Sequence, residues 1–383
     1  LNEIAQFILR KFCFIAFAIS LIFITQSKAQ SLPDVINDAD SIPHPKNFIK
    51  TLFSKGFIVT PVIFYTPETE FGGGLVSFYS FRLSRDSVQR PSSIRAALVM
   101  TTRGQFVFDV PFMISLVKNK YVLDGKVNLR EFPYDYYGIG NNINLDSLES
   151  YTYTTVNLEL DVLRRLGKGI FLGPRFNYED YQVPKIEENG LLQNSEVLGK
   201  NGGVIFGVGA SFLIDRRENI FFPEKGYYFQ FNSIYYDPAF GGDFEFYDLE
   251  IDARKYFRLK EDMVIATQAY TRNVFQEAPF LRLAQLGGKR IMRGYYEGAY
   301  QSNRYIAIQS EFRWIFYKGF GMAAFAGIGA VSESIRDINE DPRFSYGGGL
   351  RYRFNKKEKI SVRFDYGFGK NTNNFYFTIG EAF

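Results

Sequence analysis

Residues 304–316 read RYIAIQSEFRWIF. Ile306, Ile308, Phe312, Trp314 and Phe316 fall on one side of a period of two, and Gln309, Glu311 and Arg313 fall on the other. Side chains alternate across a strand every two residues, whereas a helix repeats every 3.6, so this stretch is a strand with one apolar and one charged face. The same alternation recurs in FYDLEIDARKYF (246–257), YVLDGKVNLREF (121–132), YTYTTVNLELDVLR (151–164), RFSYGGGLRYRF (343–354) and EKISVRFDYGFG (358–369). A soluble β-sandwich also alternates, but its strands usually run about five or six residues and its polar face carries fewer like charges. Strands of ten or more residues, apolar outward and charged inward, describe a transmembrane antiparallel β-barrel with a wet lumen. Closure pairs every backbone group internally, as the lipid core requires.

Composition agrees. Of 383 residues, 46% are hydrophobic and 18% aromatic, yet mean hydropathy is slightly negative. Beyond residue 30 no stretch has the eighteen or so unbroken apolar residues of a membrane helix. The net charge of +4 is small for this length and argues against a nucleic-acid partner.

At the start, Arg10 and Lys11 precede the apolar run FCFIAFAISLIFIT, followed by Ser27-Lys28-Ala29, a small-x-small cleavage pattern. Residues 1–29 are therefore expected to be a secretory signal peptide, with an uncleaved anchor helix as the alternative. Cys13, the sole cysteine, would leave with it, so the mature chain has neither disulfides nor thiol chemistry. Residues 30–54 form a short periplasmic lead-in, and 55–383 the barrel. Sixteen strands are expected, from 55–65 to 374–383. Short turns such as RRLGKG and NKKEK alternate with long joins, which places the short turns in the periplasm and the long loops outside. The last strand carries Phe375, Phe377, Ile379 and Phe383 on one face as a closing aromatic edge. Pro61, inside the first strand, supplies no N–H, so the junction of first and last strands is expected to be the weakest line of the wall, or a bulge in a closed one.

Catalytic readings find little. The one histidine, His44, lies between two prolines in the lead-in, so neither a Ser-His-Asp triad nor a His-based metal site can be assembled. FGGG at 71–74 lacks the Lys-Ser/Thr of a phosphate loop, and its glycines fit crowded strands. Asp248 and Glu250 share a strand as ordinary lining. No catalytic role, cofactor or metal is expected.

The stretch LGGKRIMRGYYEGAYQSNRYIAIQSEFRW (286–314) carries an Arg-Gly-aromatic turn, Met292 to Tyr296, in the longest join. Together with LIDRRENIFFPEKGYYFQF (213–231), GGGLRYRF, SVRFDYGFG and YYGIGNN (136–142), it resembles the BamA/TamA-type outer-membrane superfamily, the bacterial surface antigen barrels. The resemblance spans 55–383. It implies a location in the bacterial outer membrane, with the sixth extracellular loop folded into the lumen and Arg293, Gly294 and Tyr295 at its tip. It also implies a periplasmic turn motif at Asp215, Arg217, Pro223 and Gly226. A guanidinium brought inside needs carboxylates, and Glu311 and Asp365 are the acids expected to receive Arg293. Two departures stand out. FAGIG places Gly327 where the family often has an acid, and 30–54 is too short for a periplasmic POTRA repeat. Two functions follow as expectations: outer-membrane biogenesis by polypeptide or lipid translocation, or a passive channel or structural subunit of an envelope complex. The lipid bilayer and other envelope proteins are the expected partners.

Overall fold

The computed structural model describes residues 57–81, 83, 92–117, 119–143, 148–356 and 359–383. The expected signal peptide and lead-in lie outside the described residues, as do Cys13 and His44. In chain order the strands are β1 (Phe57–Thr66), β2 (Glu70–Phe81), β3 (Ser92–Thr101), β4 (Phe106–Leu116), β5 (Tyr121–Tyr136) and β6 (Glu149–Gly167). Next come β7 (Ile170–Lys185), β8 (Gly203–Asp215), β9 (Gly226–Tyr236), β10 (Phe246–Lys260) and β11 (Met263–Phe275). Two three-residue strands, β12 (Ala284–Leu286) and β13 (Tyr300–Ser302), pair only with each other. The last five are β14 (Arg304–Tyr317), β15 (Phe320–Ser332), β16 (Arg343–Asn355), β17 (Ile360–Gly369) and β18 (Thr372–Ile379).

All but β12 and β13 form one closed antiparallel barrel of sixteen strands, with β1 meeting β18. The wall is organised inside out. On β14, Ile306, Ile308, Trp314 and Phe316 are exposed while Gln309, Glu311 and Arg313 are buried. Arg293, Arg313 and Arg351 are among the largest side chains fully removed from solvent, and Leu350 on the outer face is 66% exposed. Soluble proteins bury leucines and expose arginines; this inversion makes sense only if the outer face meets lipid.

Pairing is uneven around the wall. β5 and β6 align over the whole of β5, from Tyr121↔Arg164 to Tyr136↔Glu149. Among the described residues β1 and β18 align at Tyr65↔Phe377 alone, with Tyr65 stacked on Phe375 at 3.8 Å.

The end of the chain departs from expectation. β18 stops at Ile379 instead of running to Phe383, because Gly380 adopts φ +86°, which ends the ladder. Phe375 and Phe377 stay on the strand, but Phe383 turns inward against Phe222, Tyr256, Val264 and Ile315. Its main-chain oxygen accepts from Arg313 at 2.8 Å, and the Arg313 guanidinium lies 5.1 Å from its ring. Phe383 therefore belongs to the interior and not to the seam.

Candidate functional site

The join between β11 and β14 packs against the inner wall. Its hairpin places Ala284, Leu286, Met292, Tyr295, Ala299 and Tyr300 against Tyr305, Ala307 and Val331 of β14 and β15. An apolar cluster inside a charged barrel holds the loop by burial, before any ion pair is counted.

At the tip, the Arg293 guanidinium is fully buried and pairs with both Glu311 of β14 and Asp365 of β17. Its carbon lies 3.5 Å from the Phe325 ring centroid, a cation–π contact in a desolvated setting. Three wall arginines share the same acids. Arg313 donates to Glu311 at 2.7 Å, and Arg351 donates to Asp365 at 2.5 Å and to Glu311 at 3.3 Å. Arg363 lies 3.3 Å from Asp365. Glu381 receives Arg351 at 2.9 Å and lies 3.7 Å from Arg313. Four guanidiniums thus share three side-chain carboxylates, and Arg313 also meets the Phe383 main-chain oxygen. Take Arg293 away and three wall arginines remain for the three side-chain carboxylates. Take Glu311 away and four cations share two anions.

The tip's main chain is held as closely as its side chain. Ser345 donates to the Arg293 carbonyl. The Gly294 N–H donates to the Tyr376 hydroxyl at 3.0 Å, and its carbonyl accepts from Asn374 at 2.8 Å and Thr372 at 3.1 Å. The Tyr295 hydroxyl donates to the Phe344 carbonyl at 2.9 Å and accepts from the Lys370 N–H at 2.8 Å. Gly294 has φ +110°, and a Cβ there would sit 2.7 Å from the Phe368 main chain. The tip approaches the wall so closely because the wall is notched. A Cβ on Gly367 would meet the Arg293 carbonyl group at 2.8 Å, and one on Gly369 the Tyr295 ring at 2.5 Å. A Cβ on Gly349 would overlap Asp365 at 2.0 Å. Gly327, the position where the resemblance leads one to expect an acid, faces Met292 instead, with Sδ 3.3 Å from its notional Cβ. Gly349, Gly367 and Gly369 fall on the inward period of their strands, and alternation alone carries no sign of their purpose.

A second arginine of the same loop was not legible in the sequence. Arg282 reaches the opposite wall, where it pairs with Glu179 of β7 at 3.2 Å and donates to the Tyr236 hydroxyl of β9 at 2.6 Å. Asp248 of β10 lies at 3.9 Å, itself held by Arg272 at 2.7 Å. Nearer the long-loop end, Arg103 clasps Asp135 through both carboxylate oxygens and reaches the Tyr296 hydroxyl at 3.3 Å. The Glu297 N–H donates to Glu68 at 3.0 Å. The loop therefore spans the barrel from wall to wall.

The β8–β9 turn is built from its motif residues. Asp215 accepts from the Arg217 N–H at 3.1 Å, from Nε at 2.9 Å and from Nη2 at 2.8 Å. Asn219 accepts from the N–H groups of Phe221 and Phe222 at 2.7 and 2.8 Å. Pro223 follows the fully buried Phe222 and is itself buried. Gly226 has φ +99°, and a Cβ would meet the Arg216 carbonyl at 2.2 Å. Pro61 lies on β1 opposite Leu75, four residues from the single aligned pair of the seam.

Residues 90–383 match the Omp85 superfamily domain. No curated protein matches the chain. Among solved structures, BamA from Haemophilus ducreyi lacking POTRA domains 1–3 superposes with a TM-score of 0.59 at 13% identity, over 85% of this chain and 70% of that one. CdiB from Escherichia coli gives 0.58 at 12%, over 84% of this chain and 62% of that one. CdiB from Acinetobacter baumannii gives 0.54 at 11%, over 84% and 59%. At such identities these likenesses speak for the barrel architecture, while the family match spans most of the sequence. The chain belongs to the Omp85 superfamily and is an outer-membrane β-barrel.

Proposed function

We propose that this barrel is a non-catalytic assembly or translocation factor of the outer membrane. It moves polypeptide or lipid past a closed lumen through the β1–β18 seam, in contact with the bilayer and with other envelope proteins. The observation that carries this reading is the seam. Among the described residues β1 and β18 align at Tyr65↔Phe377 alone, beside neighbours paired along their length. Few ladder hydrogen bonds make that line the cheapest place to part the wall, since each one lost elsewhere costs about 1 kcal/mol. Pro61 adds to the effect, because it offers no N–H to a partner on either side. The wall-to-wall loop supports the same reading, because a filled lumen is a poor channel but no obstacle to lateral release. A structural subunit is the competing reading, as it too tolerates a filled lumen.

Paired cysteines separate the two. Tyr65→Cys with Phe377→Cys places thiols at directly opposed positions, and the expected mature chain has no other cysteine to interfere. The double variant, expressed in the native host depleted of its own copy, is expected to crosslink under oxidation. Outer-membrane protein and lipid content should then fall, and reductant should restore both. Efficient crosslinking with unchanged envelope content would assign a structural role to a permanently closed wall.

A further inference from the structure

At the short-turn end of the lumen, below the loop tip, lies a cavity of about 340 Å³. Its walls divide by chemistry. Arg217, Arg254 and Arg290 line one part, and Ile220 and Phe221 of the β8–β9 turn line another. Two of the arginines are fixed in advance. Arg217 is held by Asp215 and Arg254 by Asp252, and both guanidiniums pack on the Tyr228 ring, at 4.7 and 4.9 Å. Arg290 is different. Among the described residues its guanidinium makes one hydrogen bond, from Nε to the Ala382 carbonyl at 3.3 Å, and no ion pair. Arg290 is exposed to the lumen; the neighbouring Arg254 opposes its charge, while Asp252 and Glu250 favour it from a distance without forming an ion pair. Glu381 also lines the cavity, but its charge is taken by Arg351 and Arg313.

We propose that this cavity binds a phosphate monoester, with Arg290 as the principal ligand and Arg217 and Arg254 as its preorganised flank. A planar fork of N–H donors suits a tetrahedral dianion, and charge-assisted bonds are stronger than neutral ones. Ile220, 61% exposed, and Phe221 give the site an apolar edge that a lipid carrying the phosphate covers and a free phosphate does not. The inference goes beyond the translocation reading and stands without it, because binding is measured on the isolated barrel.

The test is isothermal titration of the full chain, purified in an uncharged detergent, with three probes: inorganic phosphate, dihexanoyl phosphatidic acid and dihexanoyl phosphatidylcholine. Phosphatidic acid is expected to bind saturably and phosphatidylcholine not at all. Arg290→Gln and Arg254→Gln should each weaken that binding about tenfold, the loss typical of one charge-assisted contact. Arg258→Gln, which removes a charge paired with Glu224 elsewhere on the same end, should leave it unchanged. Heat-modified gel migration checks that each variant is folded. Inorganic phosphate binding as tightly as phosphatidic acid would identify the free ion as the ligand. A tenfold or greater advantage for phosphatidic acid would identify a lipid headgroup. The proposal is overturned if neither phosphate probe binds, if both arginine variants bind like the parent, or if a short apolar peptide with a free carboxylate displaces phosphatidic acid at equal concentration.

Discussion

Arg282 and Arg293 belong to the same loop and reach opposite walls, yet they are anchored differently. Arg293 is fully buried, paired with two carboxylates, stacked on Phe325, and followed by Gly294, whose N–H and carbonyl are both held by the wall. Arg282 keeps 17% of its side-chain surface exposed and has one close carboxylate, a phenol, and a distant acid shared with Arg272. A dry cation must be matched in number and direction, or it becomes costly; a wet one can exchange protein for water at little loss. The Arg293 end is therefore specific and the Arg282 end adjustable, so one loop can stay attached at one wall while shifting at the other.

The largest effect expected from breaking this contrast lies in the wall. Glu311→Ala leaves four guanidiniums sharing Asp365 and Glu381, and breaking a buried pair typically costs about 3–5 kcal/mol. Urea unfolding followed by tryptophan fluorescence at Trp314 should show a clearly lowered midpoint. Arg293→Ala should lower that midpoint less, because the remaining three arginines balance the three acids. The loop should nevertheless come loose, with faster trypsin cleavage after Lys289 and Arg290. If the two variants unfold alike, the charge balance of the cluster is not what stabilises the wall.

A steric variant sharpens the comparison without touching charge. Gly367→Ala sets a methyl 2.8 Å from the Arg293 carbonyl group, and overpacking of this kind costs roughly 1–3 kcal/mol. It should reproduce the protease sensitivity of Arg293→Ala while every ion-pair residue remains. The smallest change is expected at the other wall. Arg282→Ala removes a contact that keeps some solvent exposure, so it should cost less than loss of the fully dry pair, and the loop tip should stay protected. Raised salt should mimic Arg282→Ala and leave the Arg293 end intact, since screening acts on exposed pairs far more than on buried ones.

The contrast also explains what could be read beforehand. Lipid outside and charge inside impose a choice on every residue of a strand, so β14, β16 and β17 announce themselves, and their inner acids Glu311 and Asp365 come with them. The loop obeys no such rule. β12 and β13 are three residues each, too short for any period, and Arg282 ends a single 3-10 turn, Phe280–Arg282, in a loop where an arginine is ordinarily solvated. The notches at Gly367 and Gly369 read only as small residues on an inner face, because clearance is a property of two segments brought together. Phe383 was misplaced by extending the alternation of Phe375, Phe377 and Ile379 through Gly380, whose positive φ ends the strand.

The most direct test is single-channel conductance in a planar bilayer, comparing the parent barrel with Arg293→Ala under identical salt. The account expects a parent that is closed nearly all the time and a variant that opens in long, large steps, because the tip no longer holds the loop across the lumen. A parent that conducts steadily, or a variant indistinguishable from it, would contradict the claim that Arg293 keeps this barrel filled.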